Sequence, residues 1–114
     1  MEMTTKELAE EIHKQTLGGG IKEMTIDDTL KERGARYGAF EDHARVTQRL
    51  KRIVTEELGR QDKYVEPDQQ EALDMIFHKI GRIVAGDADY ADSWIDIAGY
   101  ATLVAKRLEG AEPV

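Results

Sequence analysis

Apolar residues recur at helical spacing through most of this chain, and the most apolar run lies near its end. From Asp89 to Leu108 the pattern predicts one helix. Trp94, Ile97, Ala98, Ala101, Val104, Ala105 and Leu108 share a broad apolar face. Asp92, Asp96, Gly99 and Leu103 form a narrow strip on the other side, and Asp96 is the only carboxylate between Ser93 and Ala105. A helix this apolar is expected at the centre of the fold.

The rest of the chain reads as shorter helices separated by breakers. Residues 4 to 16 predict an amphipathic helix, capped by Thr4 or Thr5, with Leu8, Ala9 and Ile12 as its stripe. Leu17-Gly18-Gly19-Gly20 breaks it and reads as a hinge, because a glycine run loses too much backbone entropy inside an element. Residues 1–24 would then be an arm, 25–110 the helical core and 111–114 a tail. Thr25-Ile26-Asp27-Asp28 predicts a helix start, with acids at the positive end of the dipole, and Gly34 a stop. Arg36-Tyr37-Gly38-Ala39-Phe40 reads as a turn with two aromatic anchors. Either Tyr37 and Gly38 lie beside a ligand, or the turn buries its rings in the core.

From Glu41 to Leu58 the period is helical again. Val46, Leu50, Ile53, Val54 and Leu58 form the expected buried face, and Arg45, Gln48, Arg49 and Arg52 the wet one. His43 falls on the apolar side, as a hydrogen-bonded core residue or as a ligand. Asp68-Gln69-Gln70-Glu71 has the form of a capping box that opens a helix running to Ala85. Its stripe is Leu73, Ile76, Phe77, Ile80, Ile83 and Val84. Glu71, Asp74, His78 and Arg82 lie opposite, with Lys79 at the shoulder. The short turn Gly86 to Tyr90, with Asp89 as cap of the last helix, makes the last two helices antiparallel neighbours. No strand is expected, so the fold class is all-α, a compact antiparallel helical bundle with an N-terminal helical arm.

Composition narrows the partners. The 114 residues are 40% hydrophobic and 34% charged, suited to one soluble helical domain. There is no cysteine, which excludes a disulfide framework and a thiolate metal site. No long apolar run predicts a membrane span, and the first residues lack the form of a signal peptide, so a cytoplasmic location is expected. The net charge of −7 argues against broad nucleic-acid binding. Basic residues nevertheless concentrate between 31 and 60, and acidic ones between 87 and 96.

Glu71 and Asp74 lie a turn apart on one helix, and Asp92 and Asp96 a turn apart on the next. Four carboxylates brought together need a cation, and hard oxygen ligands suit Mg²⁺ or Mn²⁺. Such a metal could orient a triphosphate for attack by water, with Lys79 and Arg82 on the phosphates. The same acids also read as helix caps and solvated surface pairs.

Three segments carry a resemblance: Arg36-Tyr37-Gly38-Ala39-Phe40, Glu71 through Ile83, and Gly86-Asp87 with Asp92 through Ala101. The stretch from Arg33 to Leu108 resembles a small-protein family of phages and prophages whose function is not established. If the protein is phage-encoded, its location is the host cytoplasm. Its Tyr-Gly, Lys-Ile-x-Arg-Ile and Asp-Ile-x-x-Tyr-Ala elements are similar to a nucleotide-modification-associated domain. More distantly, the pattern resembles the MazG-like all-α nucleoside triphosphate pyrophosphohydrolases, which hold Mg²⁺ with acidic pairs on adjacent helices and assemble as dimers or tetramers. Glu71-x-x-Asp74 would fill the role of the first pair. Asp92-x-x-x-Asp96 would fill the second, with a spacing one residue longer.

The resemblance implies nucleotide binding, with Mg²⁺-dependent pyrophosphohydrolysis of an NTP or dNTP. Asp74, Asp92 and Asp96 would hold metal, Glu71 would act as catalytic base or fourth ligand, Lys79 and Arg82 would bind phosphate, and Tyr37 or Trp94 would stack on a base. Two rival expectations stand beside it. One is a non-catalytic module that sequesters a nucleotide or a host protein. The other is a structural homo-oligomer whose polar strips are only solvated faces.

Overall fold

Two threonines open the helical stretches at the start of the chain by the same local chemistry. Thr4 Oγ1 accepts the backbone N–H of Glu7, while the Glu7 carboxylate accepts that of Thr4. Thr25 and Asp28 repeat the exchange, so each pair satisfies two orphan donors of a first turn. The computed structural model describes residues 4–7 and 24–112. The expected arm and its glycine hinge lie largely outside the described residues. The chain divides into two units, Met1–Leu30 and Lys31–Val114.

Four helices follow Thr25: α1 (Ile26–Tyr37), α2 (Phe40–Arg60), α3 (Pro67–Ala85) and α4 (Ala91–Leu108). The described residues contain no strand, and the fold is an all-α antiparallel helical bundle. Gly34 does not end α1. One glycine in a helix costs about 1 kcal/mol relative to alanine, and the turns around it outweigh that. The helix stops at Gly38, whose φ of +79° suits only glycine at low cost. Arg36 and Tyr37 therefore form a last helical turn, and Phe40, 78% exposed, is not an anchor.

Within Lys31–Val114 the middle position belongs to α3, which packs against both α2 and α4, while the backbones of α2 and α4 do not approach each other closely. The last helix is thus an outer layer and not the centre. Its packed side is Ser93, Asp96, Ile97, Tyr100 and Val104, whereas Trp94, Ala98, Ala101, Ala105 and Leu108 are exposed. The central role of α3 explains why its supposedly wet residues Asp74, His78 and Arg82 are half-buried. A helix flanked on two sides has little face left for water.

α2 and α3 meet most closely at Gly81. A Cβ there would overlap Thr47 Oγ1 and His43 Cδ2. His43 and Thr47 are correspondingly buried, and they turn their polar atoms to the α3 backbone. His43 Nε2–H donates to the His78 carbonyl at 3.1 Å, and Thr47 Oγ1 lies 3.5 Å from that of Phe77. This seam rotates the buried face of α2 away from Ile53, which is 63% exposed. Val84 of α3 is likewise exposed.

The start of α3 also differs from expectation. Pro67 occupies the first turn and Glu66 is the N-cap residue, with its N–H on Gln69 Oε1 at 2.8 Å. Asp68 is instead an ion-pair partner of Arg107 on α4. At α4 the cap position belongs to Tyr90, and Asp89 uses its own N–H on Asp87 Oδ1.

Candidate functional site

The C-terminal half of α3 carries the densest group of chemically active side chains. Helical spacing puts His78, Lys79 and Arg82 within one turn, and α2 brings His43 against them. The His43 and His78 ring centroids are 4.5 Å apart in an edge-to-face arrangement. The Lys79 side chain is only 11% exposed, and its Nζ meets Asp96 Oδ2 at 2.9 Å. Arg82 is half-buried, with its guanidinium 4.1 Å from the centroid of the Tyr37 ring. Among the described residues Arg82 pairs with no carboxylate, and its buried Nε has no hydrogen-bond partner.

The chain folds this way locally because the α1 terminus crosses the α3 terminus backbone to backbone. The Asp87 N–H donates to the Arg36 carbonyl at 2.7 Å, and a Cβ on Gly86 would overlap Tyr37. That crossing sets Tyr37 over Arg82. Beside it, Tyr37 meets Tyr90 edge-on at 6.0 Å, and Arg36 Nη1 donates to Tyr90 OH at 3.1 Å. Tyr90 OH in turn donates to Asp92 Oδ2 at 3.0 Å, which raises the Tyr90 pKa above its ordinary value.

Electrostatics follow from this crowding. Burial lowers the pKa of His78 to about 4, assisted by the positive charges of Arg82, Lys79 and Lys51 and by His43. His43 is lowered by burial as well, against its bond to the His78 carbonyl, which acts upward. Both rings are therefore neutral at pH 7. The unfolded chain protonates His78 near 6.5 and the folded chain only near 4. Acidification through that window favours the unfolded state. Allowing for solvent screening, stability should fall by roughly 1–2 kcal/mol on this account. Urea denaturation at stepped pH should show this decline, and His78→Gln should flatten it.

The four carboxylates do not converge. Two ion pairs, Asp68 with Arg107 and Lys79 with Asp96, fix the antiparallel register of α3 and α4. In that register Asp92 lies level with about residue 83, some 12 residues from Glu71, or roughly 18 Å along the axis. Asp74 accepts a hydrogen bond from Gln70, Asp92 accepts from Tyr90, and Asp96 is committed to Lys79. Glu71 is exposed beside a cleft of about 230 Å³ that Asp68, Ala72, Tyr100, Leu103 and Val104 also line. Among the described residues no three His, Asp or Glu side chains are placed to hold a metal ion, so this donor set does not fit Mg²⁺ within one chain.

Of the other expected residues, Lys79, Arg82 and Tyr37 do come together. Trp94 does not join them: it is 54% exposed on the outer side of α4, with Nε1 donating to the Ala88 carbonyl. The pairing of His78 with His43 escaped the sequence reading, which set them on opposite kinds of face. The available signal was Gly81, a small residue one turn after His78 that lets α2 approach.

The model of a domain of unknown function, DUF6378, matches residues 25–108. The chain belongs to the DUF6378 family. No curated protein and no solved structure matches it. The DUF6378 match spans all four helices and so includes the whole Lys79–Arg82 cluster. Among the described residues no helix is long and apolar enough to cross a membrane.

Proposed function

We propose that this protein binds a phosphorylated small molecule, of the nucleotide class, at the Lys79–Arg82 turn of α3. The observation that carries the reading is a half-buried Arg82 with no carboxylate partner among the described residues, one turn from the nearly buried Lys79. A cation withdrawn from water is costly until an anion joins it. Arginine and lysine together suit a phosphate, the first as a planar fork and the second as a point charge. His43 and His78, held neutral, leave the positive charge of this turn to these two cations. Tyr37 and Tyr90 supply an aromatic border on which a base can rest.

This is the binding part of the expectation drawn from the MazG-like resemblance. The hydrolytic part needs a carboxylate cluster, and the α3–α4 register separates the acids that would form it. The reading is therefore a nucleotide-binding module that sequesters its ligand without hydrolysing it.

Asp96 separates the two. A metal ligand at this position would make Asp96→Asn inactive. In the phosphate-binding reading the same change frees Lys79 from its carboxylate. Isothermal titration with ATP, with and without Mg²⁺, should then show Asp96→Asn binding at least as tightly as the parent protein. Loss of binding in this variant would restore the metal role of Asp96. No binding by the parent protein would end the proposal.

A further inference from the structure

Two strips of side chains run along the α3–α4 pair and share one cleft. On α3 the strip is Glu71, Met75, His78 and Arg82, and on α4 it is Leu103, Gly99, Asp96 and Asp92. Each follows steps of four, three and four, so each keeps to one side of its helix. Glu71 and Leu103 both line the cleft of about 230 Å³, and Asp96 meets Lys79 across the pair. The two strips therefore border the same side of the pair along its length. That side is a trough, with the cleft at one end and the Lys79–Arg82 turn at the other. Gly99 keeps the middle open. Among the described residues nothing lies within 4 Å of where its Cβ would be. The close approach of α2 explains Gly81, but no such neighbour explains Gly99, which weakens its helix relative to alanine.

The two ends of the trough differ in chemistry. The cleft has apolar walls in Ala72, Leu103 and Val104, with the ring of Tyr100 beside them. At about 230 Å³ it is smaller than the roughly 300 Å³ at which drug-sized pockets begin, and it suits one ring system rather than a whole ligand. Of its two carboxylates, Asp68 is taken by Arg107, while none of the ion pairs among the described residues uses Glu71. Lys79 lies two turns of α3 beyond Ala72, about 10 Å along the axis. A nucleotide lying extended covers that distance.

We infer that the cleft is the base subsite of the phosphate ligand. The phosphates lie at Lys79 and Arg82, the sugar passes over Gly99, and the base enters the cleft with an exocyclic amine donating to Glu71. The ligand class is thereby a nucleotide with an amino-bearing base, such as adenine or cytosine. This inference rests on the phosphate reading and adds the position and kind of the base. The apolar walls cover the faces of the ring. A carboxylate accepts from an amine, and it repels a carbonyl oxygen in the same place. The border of Tyr37 and Tyr90 lies beyond Arg82, away from the cleft, so a base resting there touches neither Glu71 nor Gly99.

Titration calorimetry of the full chain with ATP, ITP and inorganic triphosphate tests this. ATP should bind at least about 10-fold more tightly than ITP, which carries a carbonyl where ATP carries the amine. Glu71→Gln donates as well as accepts, and should bring the two ligands within about threefold of each other. Gly99→Leu fills the trough and should weaken ATP at least about 10-fold. Both positions are exposed, and leucine favours a helix more than glycine does, so both variants should fold. Inorganic triphosphate has no base, and its affinity should stay unchanged in both. Equal affinity of the parent protein for ATP and ITP would overturn the inference. So would triphosphate binding with ATP indifferent to both substitutions, which leaves the phosphate reading standing and moves the base to Tyr37. Binding of neither ATP nor triphosphate would remove the phosphate reading and this inference with it.

Discussion

Replacing Gly38 with alanine should destabilise the protein by about 3 kcal/mol or more, a large part of the 5–15 kcal/mol typical of a domain. Two effects add. The residue sits at φ +79°, where an L side chain costs about 1–2 kcal/mol. Its Cβ would also fall inside the Ala85 carbonyl, with the Ala85 Cβ only 3.1 Å away. The obstacle is backbone, so no rotamer relieves it, and overpacking of that kind costs about 1–3 kcal/mol. The α1 terminus would have to lift from α3. That movement would strain the Asp87-to-Arg36 bond and carry Tyr37 off Arg82. Urea denaturation should show the loss as a lower midpoint. Gly59→Ala is the control. It lies near the end of α2 with nothing among the described residues within 4 Å of its Cβ, and should be neutral or gain up to about 1 kcal/mol. A loss below about 1 kcal/mol for Gly38→Ala would mean that the helix crossing is looser than described.

The helices were legible because their signals are local. Hydrophobic period and threonine caps lie within a few residues of the boundaries they set; the stop of α1 is the exception, read at Gly34 and found at Gly38. Pro67 could have moved the α3 start two residues earlier than Asp68 suggested, since proline is at home in a first turn. What local pattern could not give was which side of each apolar stripe packs within the chain. Trp94, Ile53 and Val84 look like core residues by spacing, yet α3 takes the middle position and leaves them outside. The period of a helix records that a face is apolar and is silent on what covers it.

The same limit governed the acids. Asp92 and Asp96 share a side of α4, as Glu71 and Asp74 neighbour each other on α3. Whether the two pairs meet depends on inter-helix register, which Asp68–Arg107 and Lys79–Asp96 decide over separations of 39 and 17 residues in the chain. No short motif encodes that. Lys79 and Arg82 were readable together because residues three positions apart on one helix are always neighbours, whatever the register.

Removing either cation should weaken phosphate binding far more than it weakens the fold. Arg82→Gln keeps the length and a hydrogen-bonding tip while deleting the charge, and Lys79→Met keeps the stem. A hydrogen bond to a charged group contributes about 1.5–3 kcal/mol, so each variant should lose roughly 10- to 100-fold in affinity for ATP. The two differ in stability. Lys79→Met leaves Asp96 without its partner, but Asp96 is half-exposed, with 46% of its side chain in solvent, so water replaces most of the loss. Arg82→Gln relieves a half-buried cation that lacks a carboxylate among the described residues, and its effect on stability should be small or favourable even as the Tyr37 contact is lost. Calorimetric titration with ATP and with inorganic phosphate, beside a urea midpoint for each variant, separates the outcomes. Loss of affinity at an unchanged midpoint assigns both side chains to the ligand. Affinity that survives both substitutions would leave Lys79 and Arg82 as packing and ion-pair residues of the bundle and remove the basis for a phosphate site at this turn.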